Sequence, residues 1–319
     1  MSTVSDTLRR VATHRVSPRV FRWLTAASVV ALGIIVVTGG AVRLTGSGLG
    51  CSTWPQCDPG QLAPPWGYHA WIEFGNRLVT VAVTVVVILT TIAAMRLQQR
   101  RRDLTLLSWG MVAGVAAQAV VGGLSVIYDL VPGWVMAHFL LSMVVLWDAL
   151  VLHHRAAPGW RPLPLPVVRR EVVWLGRGLA GTAGVVLALG TVVTGTGPHA
   201  GDEHTVRLPF DLRDVTQLHA DFALLLTGLA IATLVAMRIA EVPAHVAKVG
   251  RWLVAALLLQ VAIGYSQYFS GLPVGLVELH IAGATVLWVV TVWLNLAFTA
   301  PVRELAIPEP AAERLRVEV

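Results

Sequence analysis

The chain has 319 residues, of which 55% are hydrophobic and only 13% are charged. Soluble domains carry about 25% charged residues, so this composition excludes an ordinary soluble protein and predicts an integral membrane protein. The formal net charge of +6 could suggest nucleic-acid binding. However, the arginines flank apolar segments and form no recognition motif, and we therefore expect no nucleic-acid partner.

Eight apolar segments are long enough to cross the lipid bilayer as helices, which takes roughly 20 residues each. They are about twice as long as the strands of an outer-membrane barrel and are apolar throughout, which excludes that fold. The predicted fold class is an all-α integral membrane protein with eight transmembrane helices. The predicted spans are 21–43, 71–95, 104–128, 132–154, 172–196, 215–240, 249–270 and 274–300.

The positive charges are distributed unevenly about these spans. All but four of the 24 Lys and Arg residues fall on the side that carries both termini. The positive-inside rule makes that side cytoplasmic, and an even number of spans agrees with it. An Arg-rich first segment is also typical of mitochondrial targeting, but so few residues precede the first span that we favour an orienting flank. The four cations on the other side are Arg43, Arg77, Arg207 and Arg213.

The two halves of the chain repeat. Gln118 lies twenty residues before His138, and Gln260 lies twenty residues before His280. A second correspondence links VVTGGAVRLTG after the first span with VVTGTGPHAGD after the fifth. Each half is therefore predicted to be a four-helix bundle. The predicted divisions are a cytoplasmic flank 1–22, an N-terminal bundle 23–154, a cytoplasmic Pro-rich linker 155–171, a C-terminal bundle 172–300 and a cytoplasmic tail 301–319.

Three histidines, His138, His219 and His280, lie near the starts of the fourth, sixth and eighth spans. Imidazoles on facing helices can bind both sides of one heme iron. A lone intramembrane histidine could instead be hydrogen-bonded within the bundle, but the repeat favours a heme between His219 and His280. The position equivalent to His219 in the first half is Asn76, which is a poor iron ligand. We therefore expect His138 alone to hold an iron in that half.

Glu73 lies one helical turn before Arg77, on the helix face that also carries Asn76. A carboxylate there could accept a proton or stabilise a cationic intermediate. The structural alternative is a Glu73–Arg77 ion pair that anchors the end of the helix. Arg77 and Arg43 could also hold the propionate groups of a porphyrin, because a guanidinium matches a carboxylate in shape and charge.

Cys51 and Cys57 are the two cysteines of the chain and lie in the first outer connection, within CSTWPQC. Thiols on that face meet an oxidising compartment, so we predict a disulfide that closes a short loop. The alternative is a pair of free thiols without a role.

The sequence resembles the heme A synthase family over nearly the whole chain. The features that carry the resemblance are the WIEFGNRL segment with Glu73 and Arg77, the outer cysteine pair, and the histidines that open spans four, six and eight. The resemblance implies a heme b between His219 and His280. It also implies heme O as substrate in the N-terminal bundle and heme A as product, formed by two hydroxylations of a ring methyl group and loss of water. Many members have His where this chain has Asn76.

The resemblance further implies a setting and partners. The setting is a bacterial plasma membrane or a mitochondrial inner membrane. The partners are a heme O synthase, which supplies the substrate, and a quinone or other electron acceptor. A homo-oligomer is a further possibility. The alternatives are a membrane b-type cytochrome for electron transfer and a heme carrier or oxidase assembly factor, both of which Asn76 favours. A transporter would have helices broken at mid-membrane, whereas the polar positions here gather near the outer ends of the spans.

Overall fold

The computed structural model describes residues 15–51, 53–58, 60–61, 63–160 and 165–300. Within these residues, eight helices are long and apolar enough to cross a membrane. The predicted all-α membrane fold is confirmed. Most of the predicted N-terminal flank and all of the tail 301–319 lie outside the described residues. The helices are α1 (Pro18–Leu44), α2 (Tyr68–Met95), α3 (Arg102–Ile127), α4 (Pro132–Arg155), α5 (Arg170–Thr196), α6 (Leu212–Ile239), α7 (Ala244–Phe269) and α8 (Val274–Ala297).

Several helices begin before their predicted apolar spans, because polar residues extend and cap them. Helix α1 begins three residues early, since the Ser17 hydroxyl accepts the backbone N–H of Val20. Helix α6 also begins three residues early, where the carboxylate of Asp211 accepts backbone N–H groups of its first turn. The last span was predicted to reach residue 300, which is wrong. Helix α8 ends at Ala297, and the chain then turns into a short strand.

The helices pair in chain order, α1 with α2, α3 with α4, α5 with α6 and α7 with α8. Contacts of α1 with α4 and of α2 with α3 close the first four helices into one bundle. Contacts of α5 with α8 and of α6 with α7 close the second. The two pseudo-repeated four-helix bundles are thus present. The chain divisions drawn around the linker 155–171 stay a prediction. Within that segment, β1 (Leu165–Pro166) pairs antiparallel with β2 (Thr299–Ala300).

Each bundle has its own apolar core, and the two cores meet at Trp288 of α8. Its ring packs against both cores, and its Nε1–H donates to the Met143 carbonyl of α4 at 3.0 Å. A buried indole N–H needs such a partner, so this bond fixes α8 against α4. Fully buried members of the two cores include Phe21, Met111 and Leu146 in the first and Leu179, Leu253 and Leu294 in the second.

The outward faces of the helices are apolar. Trp23 is 70% exposed, Leu106 is 72% exposed and Ile239 is 74% exposed. Large exposed apolar surface is rare on soluble monomers, whereas hydrocarbon is its natural surrounding, because helices satisfy their backbone polar groups internally. The bundle therefore has the surface of a multi-pass membrane protein.

Candidate functional site

His219 of α6 and His280 of α8 face each other in the second bundle. Their ring centroids are 6.4 Å apart and their planes are inclined by 70°. A metal bound by both rings through bonds of roughly 2 Å, with each centroid roughly 1 Å behind its nitrogen, would place the centroids about 6 Å apart. The pair therefore has a separation that suits two axial ligands on one iron.

Two glycines make room for these rings. A Cβ at Gly190 of α5 would lie 3.2 Å from Cε1 of His219, and a Cβ at Gly264 of α7 would lie 3.2 Å from Cε1 of His280. An alanine at either position would therefore press on the imidazole. Glycine allows each ring to lie directly against the backbone of the neighbouring helix.

The Nδ1 atoms of the two rings have different surroundings. Nδ1 of His280 lies 3.2 Å from Nε2 of Gln260. Nδ1 of His219 is buried and has no hydrogen-bond partner among the described residues. These contacts matter because an imidazole that binds iron through Nε2 carries its proton on Nδ1 and presents it to a nearby acceptor.

In the first bundle, Asn76 of α2 takes the place that the repeat gives to His219. A Cβ at Gly122 would lie 3.0 Å from Cε1 of His138, and a Cβ at Gly39 would lie 4.0 Å from Nδ2 of Asn76. The Thr38 hydroxyl donates to Oδ1 of Asn76 at 2.8 Å. Because residue 76 is asparagine, the first bundle has one imidazole where the equivalent positions of the second bundle have two.

His69 lies two helical turns before Asn76 on the same helix. Its Nδ1 is hydrogen-bonded to the Ser47 hydroxyl at 3.0 Å, and its backbone packs against Gly50. The ring is therefore engaged by the loop that follows α1.

Glu73 is 6% exposed, and each of its carboxylate oxygens has a donor. Oε1 pairs with Nη2 of Arg77 at 2.6 Å, and Oε2 accepts the backbone N–H of Cys51 at 2.7 Å. The ion pair considered as a structural alternative is thus present. Nη1 of Arg77 donates to three carbonyl oxygens of the loop after α1, those of Thr53, Pro55 and Gln56.

Cys51 and Cys57 form a disulfide, which confirms the prediction. Both residues are buried. The loop that they close reaches α3, where a Cβ at Gly123 would lie 2.8 Å from Cδ2 of Trp54. Gly123 is next to Gly122, which contacts His138. The disulfide loop therefore covers the end of the first bundle at which its candidate ligands lie.

Arg43 connects the two bundles at this same end. Its Nη2 donates to the Thr194 carbonyl of α5 at 2.5 Å, while its Nε has no hydrogen-bond partner within the described ranges. Three residues earlier on α1, Gly40 lies against Glu278 of α8. Both oxygens of that carboxylate are buried without a partner among the described residues. Arg43 keeps a free N–H, so its role as a propionate ligand stays a prediction.

Some contacts of the site were not predicted. Gln118 Nε2 donates to the His138 carbonyl at 3.1 Å, and Gln260 Nε2 donates to the His280 carbonyl at 3.0 Å. The equal spacing of both pairs was an available signal, since two glutamines kept at one distance from two histidines suggest a shared contact. The bond from Thr38 had a weaker signal, a threonine followed by glycine near the end of both the first and the fifth span.

The fold and the site define a multi-pass membrane protein with paired imidazoles in one bundle and a buried carboxylate in the other. The family model described as cytochrome oxidase assembly protein matches residues 21–67 and 65–292. The chain belongs to this family, the heme A synthase family, as its sequence led us to expect.

Individual relatives are more distant. The heme A synthase of Lysinibacillus sphaericus (strain C3-41) is 29% identical over 135 residues, which are 42% of this chain and 44% of the relative. That of Geobacillus thermodenitrificans is 32% identical over 100 residues, 30% of each chain. That of Bacillus cereus (strain AH187) is 27% identical over 136 residues, 42% of this chain and 43% of the relative. Each match thus spans less than half of the relative's length.

Proposed function

We propose that this chain is a heme A synthase, which oxidises a ring methyl group of heme O to the formyl group of heme A for the biogenesis of a terminal oxidase. The observation that carries the proposal is the difference between the two bundles. The second has the paired imidazoles of His219 and His280. The first has the imidazole of His138 and the buried carboxylate of Glu73, which is paired with Arg77, whereas Glu278 of the second has no partner among the described residues. One bundle thus suits a resident redox cofactor and the other suits a substrate.

His219 and His280 would hold heme b. Their centroid separation of 6.4 Å and the space left at Gly190 and Gly264 suit an iron with two imidazole ligands. A heme b in this place would supply single-electron transfer. Such a path suits the reaction, because conversion of a methyl group and one water molecule to a formyl group releases four protons and four electrons, and the electrons must leave the site. We propose a quinone or another membrane oxidant as their acceptor.

Heme O would bind in the first bundle with His138 as its protein ligand. Gly122 gives the imidazole the same backing that Gly264 gives to His280. An amide is a poor iron ligand, so His138 alone would bind the iron, and the remaining position would be left to water, to Asn76 through a bridging water, or to no ligand. The propionate groups of the substrate would meet the free Nε–H of Arg43 or the guanidinium of Arg77.

Glu73 would act on the substrate as a charged group. Arg77 and the Cys51 N–H stabilise its carboxylate form in a buried place. A carboxylate held in this way can stabilise positive charge that develops during methyl oxidation, or take up a proton released by it. Its distance along α2 from Asn76, one helical turn, is short enough for either role.

The setting that we propose is the bacterial plasma membrane, with both termini in the cytoplasm. The uneven distribution of Lys and Arg supports this orientation. The disulfide loop and both candidate sites would then lie toward the outer face, where thiols are oxidised. A heme O synthase in the same membrane would supply the substrate.

The test is pigment conversion. The full chain is coexpressed with a source of heme O and purified, and its extracted hemes are separated and identified by pyridine hemochrome spectra. We expect heme A from the wild type and much less from Glu73→Gln. Full occupancy by protoheme with no heme A would contradict the proposal. It would favour the second candidate, an electron-transfer cytochrome, which the pairing of His219 with His280 also suits.

A further inference from the structure

The two glutamines that mark the repeat contact their histidines differently. In the second bundle, Gln260 Nε2 lies 3.2 Å from Nδ1 of His280 and donates to its carbonyl at 3.0 Å. In the first, Gln118 Nε2 donates to the His138 carbonyl at 3.1 Å and to the Ser142 hydroxyl at 2.6 Å. Nδ1 of His138 is buried and has no hydrogen-bond partner in the described part of the chain.

Two sequence positions differ between the halves beside these glutamines. Leu141 stands where the repeat has Gly283, at which a Cβ would clash with Oε1 of Gln260, and Ser142 stands where the repeat has Ala284. Ser142 lies four residues after His138, and the repeat places Ala284 four residues after His280. The Ser142 hydroxyl donates to the His138 carbonyl at 2.9 Å and accepts the amide of Gln118. Alanine at 284 offers no acceptor. The amide of Gln118 is therefore bonded to Ser142, one helical turn after His138. The amide of Gln260 instead lies beside the imidazole of His280.

A hydrogen-bond partner at Nδ1 fixes the tautomer and orientation of an imidazole and strengthens it as a metal ligand. A glutamine amide can present either its nitrogen or its oxygen after rotation. The oxygens of Gln118 and Gln260 are both buried without a partner among the described residues. If the amide of Gln260 gives up its bond to the His280 carbonyl and rotates, its oxygen can accept the Nδ1–H that His280 carries when Nε2 binds iron. The amide of Gln118 would in addition have to give up its bond to Ser142.

We propose that Ser142 is a positioning residue that makes the first bundle hold its porphyrin loosely, while Ala284 allows the second bundle to hold its porphyrin firmly. The proposal rests on the proposed function, because it assumes a heme at His138 and another at His280. A substrate site must release its occupant in every reaction cycle, whereas a resident cofactor must stay. The Ser142 hydroxyl, which Ala284 lacks, suits release of the substrate from the first bundle and retention of the cofactor in the second.

The experiment compares Ser142→Ala and Ala284→Ser with the wild type and with a control, Ser125→Ala. The Ser125 hydroxyl donates to the Val121 carbonyl of its own helix α3, so the control removes the same kind of bond from a helix other than α4. Purified full-length protein loaded with heme O and heme b is mixed with excess apomyoglobin, and the hemes that remain are separated by chromatography over time.

We expect Ser142→Ala to slow the release of heme O by roughly two- to tenfold, the range that one hydrogen bond supplies. Ala284→Ser should speed the release of heme b by a similar factor, and Ser125→Ala should change neither rate. Unchanged release from both Ser142→Ala and Ala284→Ser would overturn the proposal.

A second measurement separates this inference from the proposed function. In heme-free full-length protein labelled with ¹⁵N-histidine, Ser142→Ala should move the Nδ1 resonance of His138 toward that of His280, because Gln118 is released. If the wild type binds no heme O, the proposed function fails, and the resonance still decides on Ser142. A shift of the resonance supports the claim that Ser142 holds the Gln118 amide away from His138. A resonance that does not move refutes that claim.

Discussion

Oε2 of Glu73 accepts the backbone N–H of Cys51 at 2.7 Å, so the candidate carboxylate is bonded directly to one residue of the disulfide. The same carboxylate pairs with Arg77, which also holds carbonyl oxygens of the disulfide loop. The loop and the candidate site therefore form one hydrogen-bonded unit. A change in the loop should alter the chemistry, and a change in the site should alter the stability of the loop.

Opening the disulfide should lower activity without emptying the second bundle. In Cys51→Ser/Cys57→Ser the Cys51 N–H remains, but the loop no longer fixes its direction toward Glu73. Since a hydrogen bond to a charged group contributes about 1.5–3 kcal/mol, we expect heme A formation to fall roughly tenfold or more. Heme A per protein and the heme b content are measured together. Unaltered heme A formation in a protein without the disulfide would contradict this coupling.

Removing Arg77 should destabilise the protein. Arg77→Leu leaves Glu73 buried without its ion-pair partner, a change that costs about 3–5 kcal/mol for buried pairs. Arg207→Leu is the matched control, because Arg207 donates to the carbonyls of Gly197 and Pro198 and has no carboxylate partner among the described residues. Thermal unfolding in detergent should show a clearly larger loss for Arg77→Leu. Equal losses would mean that the ion pair contributes little.

Much of the fold could be predicted from the sequence, because few backbone conformations are stable in lipid. Long apolar segments must form helices to satisfy their backbone groups, and the repeat around Gln118 and Gln260 indicated two bundles. The helix ends were harder to predict, since they depend on caps such as Ser17 and Asp211 rather than on hydropathy. The turn after Ala297 was missed because the apolar run continues past it.

The candidate site was predictable in its residue types and less so in its contacts. His219 and His280 were paired because the repeat places them on alternate helices of one bundle, and Glu73 was matched with Arg77 because they are one helical turn apart. The bond from Cys51 to Glu73 joins a loop to a helix, and its geometry depends on how the loop folds. Periodicity carries no information about such a contact.

The glycines behind the rings should be intolerant of added volume. Gly190→Ala would press a methyl group onto the ring of His219, and overpacking of this kind costs about 1–3 kcal/mol. We therefore expect a reduced heme b content. Gly184→Ala on the same helix is the control, since nothing lies within 4 Å of its Cβ position. Heme per protein is the measurement, and equal content in both variants would contradict a close fit.

Asn76→His should give the first bundle a second imidazole ligand. We expect its heme to become six-coordinate and low-spin, because two imidazoles would then bind the iron. Thr38→Val removes the bond to Oδ1 of Asn76 without adding a ligand, so its spectrum should keep the wild-type spin state. Absorption and electron paramagnetic resonance spectra report both. Two low-spin hemes in the wild type, with activity intact in Asn76→His, would refute the single-imidazole site.

The central claim is that His219 and His280 both bind the iron of heme b. It is tested by replacing each histidine and measuring how much heme b the protein retains. His219→Ala, His280→Ala and His138→Ala are each expressed without added heme O, and the heme b content is measured by pyridine hemochrome spectra. We predict that either alanine in the second bundle removes the heme b, whereas His138→Ala retains it. Full heme b content in His219→Ala and His280→Ala would contradict the paired ligation on which the proposed function depends.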